Sequence, residues 1–263
     1  MPRPSRRFVG ALLVALGCAV TACAARADGC ADASQDIVTD RPSVTNSSVV
    51  VPAGSLQLEN GINWTAHPGQ DALDGPNTRL RFGLGGCTEV LVDTPDYIGG
   101  IDGHGPSGFS DVAPAVKHQF QGLPEGLNLS GTVGLAFPTG SRAIAGNGYN
   151  PYVQLPWTQD LGGGWTAGGM FSTMWLTGEP QSTTVLQPSV LIDRQIGEHS
   201  DVFAEYIGDY ETRGLPAQEL NFGGSYRFAH TQQIDFHVGV GLNRNAPDYF
   251  VGLGYSVRFD GLW

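Results

Sequence analysis

The last strand-like segment of the chain constrains its fold more than any other feature. In "PDYFVGLGYSVRFDGLW" one parity is apolar up to the carboxyl terminus, and it comprises Tyr249, Val251, Leu253, Tyr255, Val257 and Phe259, with Trp263 in phase. Successive side chains of a β-strand point to opposite faces, so this pattern predicts a strand with one apolar face. The ends of soluble domains usually fray in water. A terminal apolar face therefore requires a surface or a lipid phase that covers it.

The same alternation recurs through most of the chain. Leu56, Leu58, Ile62 and Trp64 share one parity, and Leu80 and Phe82 alternate with two arginines. Further candidate strands are 87–93, 109–120, 127–137, 150–157, 164–176, 184–194, 201–207, 219–228, 232–242 and 248–259. Together they predict about twelve strands, many with the roughly 9–11 residues that a tilted strand needs to cross a bilayer.

The connections favour a membrane barrel over a soluble fold. Long segments such as "AHPGQDALDGPN" and "TPDYIGGIDGHGPSG" alternate with short ones such as "GG", as in outer-membrane barrels. Charged residues make up only 15% of the chain, below the roughly 25% of soluble domains. We expect an all-β fold, a closed antiparallel transmembrane barrel of about twelve strands over residues 55–263. Backbone groups facing lipid must be paired, so the first strand should pair with the last. A soluble β-sandwich, whose strands also alternate, is the alternative.

The amino terminus predicts export. "MPRPSRR" is a basic segment and "FVGALLVALGCAVTA" is an apolar run, as in a signal peptide over residues 1–27. Cleavage after Ala27 would leave Asp28 as the first residue. Alternatively, Val20-Thr21-Ala22-Cys23 resembles a lipobox, which would leave Cys23 carrying lipid. Residues 28–54 then form an N-terminal periplasmic segment that could act as a plug.

Charge and cysteine content narrow the class of partner. Losing residues 1–27 removes four arginines and no acid, so the formal charge falls from −11 to about −15. Such a balance argues against nucleic acid, whose binding depends on Lys and Arg. Cys30 and Cys87 remain after cleavage, and an oxidising compartment favours a disulfide between them over two free thiols. No metal site or cofactor is predicted.

Four segments in order resemble one family. They are Asp40-Arg41-Pro42 with Val51-Pro52-Ala53-Gly54 and Leu56-Gln57-Leu58-Glu59, "GFSDVAPAVKHQF" (108–120), "LAFPTGS" (135–141) and "PDYFVGLGYSVRF" (247–259). They are similar to the outer-membrane transporter family labelled "MetA-pathway of phenol degradation", over essentially the whole chain after the signal peptide. The resemblance implies a barrel in the outer membrane of a Gram-negative bacterium that passes small molecules, such as hydrophobic or aromatic compounds. It also implies contact with barrel-assembly machinery through the last strand, where either Phe259 or Trp263 could supply the terminal aromatic.

Strand parity predicts which charged residues face the lumen. The candidates are Glu59, Arg79, Arg81, Asp111, Lys117, Glu205, Arg227, Asp235, His237 and Arg258. Charges of both signs could line a path for solutes or pair as a structural plug. Asp40 and Arg41, which precede the first strand, could belong to such a plug or simply to a turn.

Known catalytic motifs do not occur in the sequence. It has no G-x-S-x-G and no H-E-x-x-H, and lumenal pairing accounts for Glu59 and Asp111 without acid–base chemistry. The sequence thus predicts a non-enzymatic channel or transporter, surrounded by outer-membrane lipid and passing an unidentified small solute. The alternatives are an exported soluble or lipid-anchored β-sandwich binding protein, and an outer-membrane barrel enzyme that acts on lipid.

Overall fold

The structure, a computed structural model, describes residues 30–31, 33–67, 69–101, 105–178 and 182–263. Cys23, Ala27 and Asp28, and with them both predicted processing sites, lie outside the described residues. The strands are β1 (Leu56–His67), β2 (Gln70–Gly75), β3 (Arg79–Gly85), β4 (Thr88–Asp93), β5 (Tyr97–Gly100), β6 (Gly108–Phe109), β7 (Ala113–Gln119), β8 (Leu127–Ala136), β9 (Asn150–Gly162), β10 (Trp165–Leu176), β11 (Thr183–Ile196), β12 (Ser200–Glu211), β13 (Ala217–Ala229), β14 (Gln232–Gly241) and β15 (Tyr249–Phe259). Within these ranges, no helix is long and apolar enough to cross a membrane.

Twelve of these strands form a closed antiparallel barrel. The ring runs through β1, β3, β4 and β7 to β15, and β15 returns to pair with β1. That closing pair is continuous from Leu56↔Phe259 to Ala66↔Tyr249. The predicted fold class is confirmed, and so is the pairing of the first strand with the last. Closure leaves no sheet edge between these two strands, unlike the β-sandwich alternative.

Three short strands extend the wall beside β1, where the sequence predicted loops. β1 pairs with β3 only over Leu56–Glu59, and its other half pairs with β2 over Asn63–His67. β5 then pairs with β2, and β6 with β5. β3 and β4 have 7 and 6 residues against 12 in β1, so the second half of β1 would otherwise present an unpaired edge. The prediction of two long loops was wrong in this respect.

The two ends of the barrel differ in the length of their connections. At the end that carries Leu56 and Phe259, here called the short-turn end, the connections are 86–87, 120–126, 163–164, 197–199 and 230–231. At the opposite, long-loop end they include 94–112, with β5 and β6, and 137–149. The predicted alternation of short and long connections is therefore present.

The outer wall is apolar and the interior is polar. Large apolar side chains such as Val133, Phe171 and Leu253 are exposed on the outside. By contrast, the side chains with least exposure include Glu59, Arg81, Glu89, Lys117 and Glu205. A water-soluble domain would place these two classes the other way round. The strand parities predicted from the sequence hold on both faces.

The last residues fold back onto the start of the barrel. β15 ends at Phe259, and residues 260–263 are outside the strand. The Leu262 amide donates to the Gly54 carbonyl at 2.8 Å. The Trp263 ring lies 6.5 Å from that of Phe82. The aromatic parity therefore continues as a docked tail rather than as strand.

A disulfide joins Cys30 to Cys87, with 5.3 Å between the Cα atoms. Cys87 lies in the β3–β4 turn at the short-turn end. The pairing expected from the sequence is therefore present. It anchors the chain that precedes β1 to the same end of the barrel as Leu56.

Candidate functional site

The N-terminal segment, residues 33–55, lies inside the barrel. Its main chain is bound by side chains of the wall: the Asp40 amide donates to the Glu59 carboxylate at 3.0 Å. The Val51 amide donates to Glu89 Oε2 at 2.6 Å. A buried amide without a partner costs free energy, so these carboxylates satisfy groups that no strand pairs.

The opposite side of the ring binds the same segment. Glu205 on β12 accepts from the amides of Val44 and Thr45 at 3.0 and 2.7 Å. Asn221 on β13 donates to the same carboxylate at 3.0 Å and thereby holds it in place. The Thr45 hydroxyl lies 2.5 Å from that of Ser189 on β11. Since β1 and β4 bind one part and β11 to β13 another, the segment crosses the lumen.

Asp40 is the centre of an ion cluster at the middle of the segment. Its carboxylate lies 2.9 Å from Arg79, 3.5 Å from Arg81 and 3.3 Å from Lys117. It also accepts from the Ser47 amide at 2.9 Å, which closes a loop within the segment. Burial alone would raise the pKa of Asp40, but Arg81, Lys117 and Arg79 outweigh it and hold that pKa well below its usual value. Asp40 is thus an ionised anchor rather than part of a simple turn.

Arg81 connects this cluster to the wall on both sides. Its guanidinium binds Glu59 and Glu89, each at 2.9 Å. It also donates to the main-chain carbonyls of Val38 at 3.1 Å and Val49 at 2.9 Å. A guanidinium has five donors in a fixed plane, so one side chain can bind two carboxylates and two parts of the segment.

Arg41 makes a looser contact on another part of the wall. Its Nη2 atom lies 3.4 Å from both Asp235 Oδ1 and the Leu253 carbonyl. The guanidinium rests where β1 and β15 pair Gly61 with Gly254, and a Cβ at either position would overlap it. Glycine at both positions therefore makes room for the arginine.

His237 lies between two asparagine side chains. Its Nδ1 and Nε2 atoms each lie 3.2 Å from an amide oxygen, of Asn221 and Asn63 respectively. The ring thus links β13 to β1 across β14 and β15. Among the described residues, no group of three His, Cys, Asp or Glu side chains could hold a metal ion.

Arg227 and Arg258 lie nearer the short-turn end than the Asp40 cluster. Arg227 pairs with Asp201 at 3.1 Å and with Asp36 of the segment at 3.7 Å. Arg258 pairs with Asp260 at 2.8 Å and donates to two main-chain carbonyls at the start of the segment. Both arginines therefore hold the entry of the segment into the lumen.

Asp111 lines the lumenal cavity, as expected, but lies outside the strand to which the sequence assigned it. β7 begins at Ala113, so Asp111 precedes the strand and lies in the long connection before it. Its Oδ1 atom accepts from the amides of Thr139 and Gly140 at 3.0 and 2.9 Å. The prediction of Asp111 as a strand residue was wrong. Glu59 binds Arg81 and the segment, so each of the two acids is engaged elsewhere.

Several lumenal residues were not among the predicted ones. Glu89 belongs to a predicted strand, "TEVLVD", in which the apolar Leu91 has the same parity. Because Leu91 is apolar, the parity did not identify this face as the lumenal one. Asp93 forms a two-point pair with Arg79 at 2.7 and 3.0 Å. Asn221 was overlooked because only ionisable residues were considered. Parity could have found Asp93 and Asn221, since both alternate in phase with known lumenal neighbours.

A polar cavity of about 360 Å³ lies on the long-loop side of the segment. Its lining includes Asp40, Arg41, Arg79, Asp93, Asp96 and Asp111. Asp96 is outside the strands, and burial raises its pKa, with Asp74 and Asp93 adding to the effect. The segment therefore leaves a charged chamber on one side of it.

Comparison with known proteins identifies the family. The family described as "Putative MetA-pathway of phenol degradation" matches residues 39–259. The chain belongs to this family. A search of curated proteins finds no match.

Solved structures support the fold of this family member. The COG4313 outer membrane channel from Pseudomonas putida F1 superposes with a TM-score of 0.61 at 13% identity, covering 80% of this chain and 97% of that one. The NanC porin gives 0.54 at 12%, covering 77% and 98%, and the KdgM porin 0.51 at 10%, covering 78% and 99%. At these identities the similarity concerns the fold, an outer-membrane type of barrel. The match to residues 39–259 begins inside the N-terminal segment, so that segment is part of the family pattern.

Proposed function

We propose that the protein is a channel that passes small molecules across the outer membrane, closed at rest by residues 33–55, here called the plug. The observation that carries this proposal is the binding of the plug main chain by wall side chains on opposite sides of a polar lumen. Side-chain hydrogen bonds to a segment without strand pairing can be exchanged for water when it moves. A barrel needed only as a membrane anchor has no use for such a lumen.

The orientation follows from the two kinds of connection. Outer-membrane barrels have short periplasmic turns and long external loops. The short-turn end, with Trp263 and the Cys30–Cys87 disulfide, therefore faces the periplasm. Export by a signal peptide and assembly through β15 are consistent with this arrangement. The cavity beside Asp96 then opens toward the outside.

The family description suggests a first set of solutes. It refers to phenol degradation, so small aromatic compounds are the solutes to test first. The matched structures are titled a channel and porins, which supports passage rather than catalysis. We propose no enzymatic activity, since Glu59 and Asp111 are engaged elsewhere.

Conductance in planar bilayers tests the proposal. The Glu205→Ala variant removes the acceptor of two plug amides, so it should conduct more often than the wild type. Glu125→Ala, in an exposed turn at the short-turn end, is the matched control and should behave as the wild type. Heat-modifiable gel mobility establishes that each variant is folded. Folded wild type and folded Glu205→Ala that both fail to conduct would make this a structural barrel.

A further inference from the structure

The charges inside the barrel are unequally paired. The cations that face the interior are Arg41, Arg79, Arg81, Lys117, Arg227 and Arg258, and each lies within ion-pair distance of a carboxylate. Many interior carboxylates have no such partner. An ion pair presents little net field at a distance, so the unpaired carboxylates dominate what a solute meets.

Six carboxylates at or near the long-loop half make no ion pair with any described residue. They are Asp74, Asp96, Asp111, Glu205, Asp209 and Glu219. Those with hydrogen bonds bind neutral donors only: Asp74 accepts from Asn63 and Asn77, and Asp209 accepts from Gln187 at 2.9 Å. Neutral donors orient a carboxylate without cancelling its charge.

A buried acceptor without a partner provides a second, independent observation. Asp235 projects inward from β14, and its side chain is 0% exposed. Its Oδ2 atom has no hydrogen-bond partner among the described residues, and its Oδ1 atom has only the 3.4 Å contact with Arg41. A buried carboxylate oxygen without a donor is costly, and a cation in the lumen would relieve that cost.

The remaining cations after the predicted signal lie away from the lumen. Arg142 and Arg244 are exposed in long connections, and Arg213 is exposed beyond β12. Arg194 projects outward and lies over the Trp165 ring, 4.9 Å from its centroid. Exposed charges on loops are screened by salt within about 10 Å at 0.1 M. They therefore compensate the lumenal acids weakly.

The imbalance does not depend on the position of the plug. If the plug moves away, it removes Asp36, Asp40 and Arg41, which together carry a net charge of −1. Asp235 then loses Arg41, its one ion-pair partner among the described residues, while Glu59 and Glu89 keep Arg81. The six carboxylates without an ion pair all lie outside residues 33–55, so they stay in the lumen wherever the plug is.

We infer that this lumen selects cationic, amine-bearing solutes over anionic ones. The inference rests on the proposed channel function and deepens it by giving the charge class of the solute. Rings of Asp and Glu select cations in channels by the same electrostatic effect. Anionic solutes would face repulsion from these acids on the long-loop side of the plug and beside it.

Reconstituted full-length protein tests the inference with three solutes of matched size. Proteoliposome swelling is measured in glucosamine, glucose and glucuronate, which differ mainly in charge. We expect entry in the order cation, neutral, anion, with roughly a tenfold difference between the first and last. The reversal potential in a KCl gradient should have the sign of a cation-selective pore.

A variant shows whether the acids cause the preference. Asp96→Asn, Asp209→Asn and Glu219→Gln combined should at least halve the ratio of glucosamine to glucuronate entry, and Glu125→Gln should leave it unchanged. Measurable entry without preference, or faster glucuronate entry, overturns the inference and leaves the channel proposal intact. No entry of any solute in any variant counts instead against the channel function. The same three solutes are also compared in Asp40→Asn, which weakens the docking of the plug, so the measurement decides even if the triple variant does not fold.

Discussion

Replacing Asp40 by asparagine should release the plug without changing its shape. Asp40 is bound by Arg79 at 2.9 Å and by Lys117 at 3.3 Å, and its side chain is almost wholly buried. Asparagine is nearly isosteric, but it has no charge, and its amide presents a donor where the carboxylate had an acceptor. One of the three neighbouring cations then faces another donor.

The size of the effect follows from the contacts that are lost. A hydrogen bond to a charged group contributes about 1.5–3 kcal/mol, and breaking a buried ion pair on one side costs about 3–5 kcal/mol. Glu59, Glu89 and Asp93 remain close to the same cations, so the lower part of this range applies. We expect about 3 kcal/mol less stabilisation of the docked plug, or roughly a hundredfold shift toward the open state.

Single-channel recording measures this shift directly. The closed fraction of wild type and Asp40→Asn is compared at the same voltage and salt. Asp36→Asn is the matched control, because Asp36 belongs to the same segment but is more than half exposed and has one 3.7 Å ion pair. Its closed fraction should change far less than that of Asp40→Asn, because an exposed ion pair contributes only about 0–1 kcal/mol. Folded Asp40→Asn that stays closed as long as the wild type would refute the idea that this cluster holds the plug.

Three further predictions follow from the same structure. Arg81, Lys117 and Arg79 depress the pKa of Asp40, so its contribution to docking is complete above the ordinary aspartate pKa near 4. That contribution is lost only as pH falls through the depressed pKa. Conductance at pH 5 should therefore show no opening from this group. Cys30→Ser should allow the start of the plug to leave the β3–β4 turn. Loss of the cross-link should lower the free energy of unfolding by about 4 kcal/mol through chain entropy. Non-reducing gels test for the disulfide, and thermal melting tests for the loss of stability. Gly61→Val should displace the Arg41 guanidinium and raise conductance while β1 and β15 stay paired, and retained heat-modifiable mobility separates this from misfolding.

The strand pattern was sufficient to predict the barrel. Alternation with period 2 assigns each side chain to one of two faces, and it was correct for Arg79, Arg81 and Lys117 on the inside and Leu253 on the outside. The extension formed by β2, β5 and β6 was overlooked because segments rich in Gly, Asp and Pro are typical of turns. Only the shortness of β3 and β4 shows that the second half of β1 needs another partner.

Parity cannot tell which lumenal charges meet. In the sequence, Asp40 and Arg81 are 41 residues apart, and Thr45 and Glu205 are 160 residues apart. Their contacts therefore depend on the path of the plug through the barrel. That path has no regular secondary structure, and hence no periodicity that would show it in advance. Asp111 was misplaced for a related reason, because its strand begins two residues later.

The sequence left two roles open for the lumenal charges, a path for solutes or a set of structural pairs. The structure divides them between the two. Arg81, Lys117 and Glu89 are paired around the plug, whereas Asp209 and Glu219 have no ion-pair partner among the described residues. In the alternative, the paired residues hold the plug and the unpaired acids are merely hydrated, without effect on solutes. Neutralising the acids would then change neither gating nor selectivity. If the proposals are right, Asp40→Asn changes the closed fraction at unchanged selectivity, and Asp209→Asn with Glu219→Gln does the reverse. The two groups of residues should therefore separate gating from selectivity in one set of recordings.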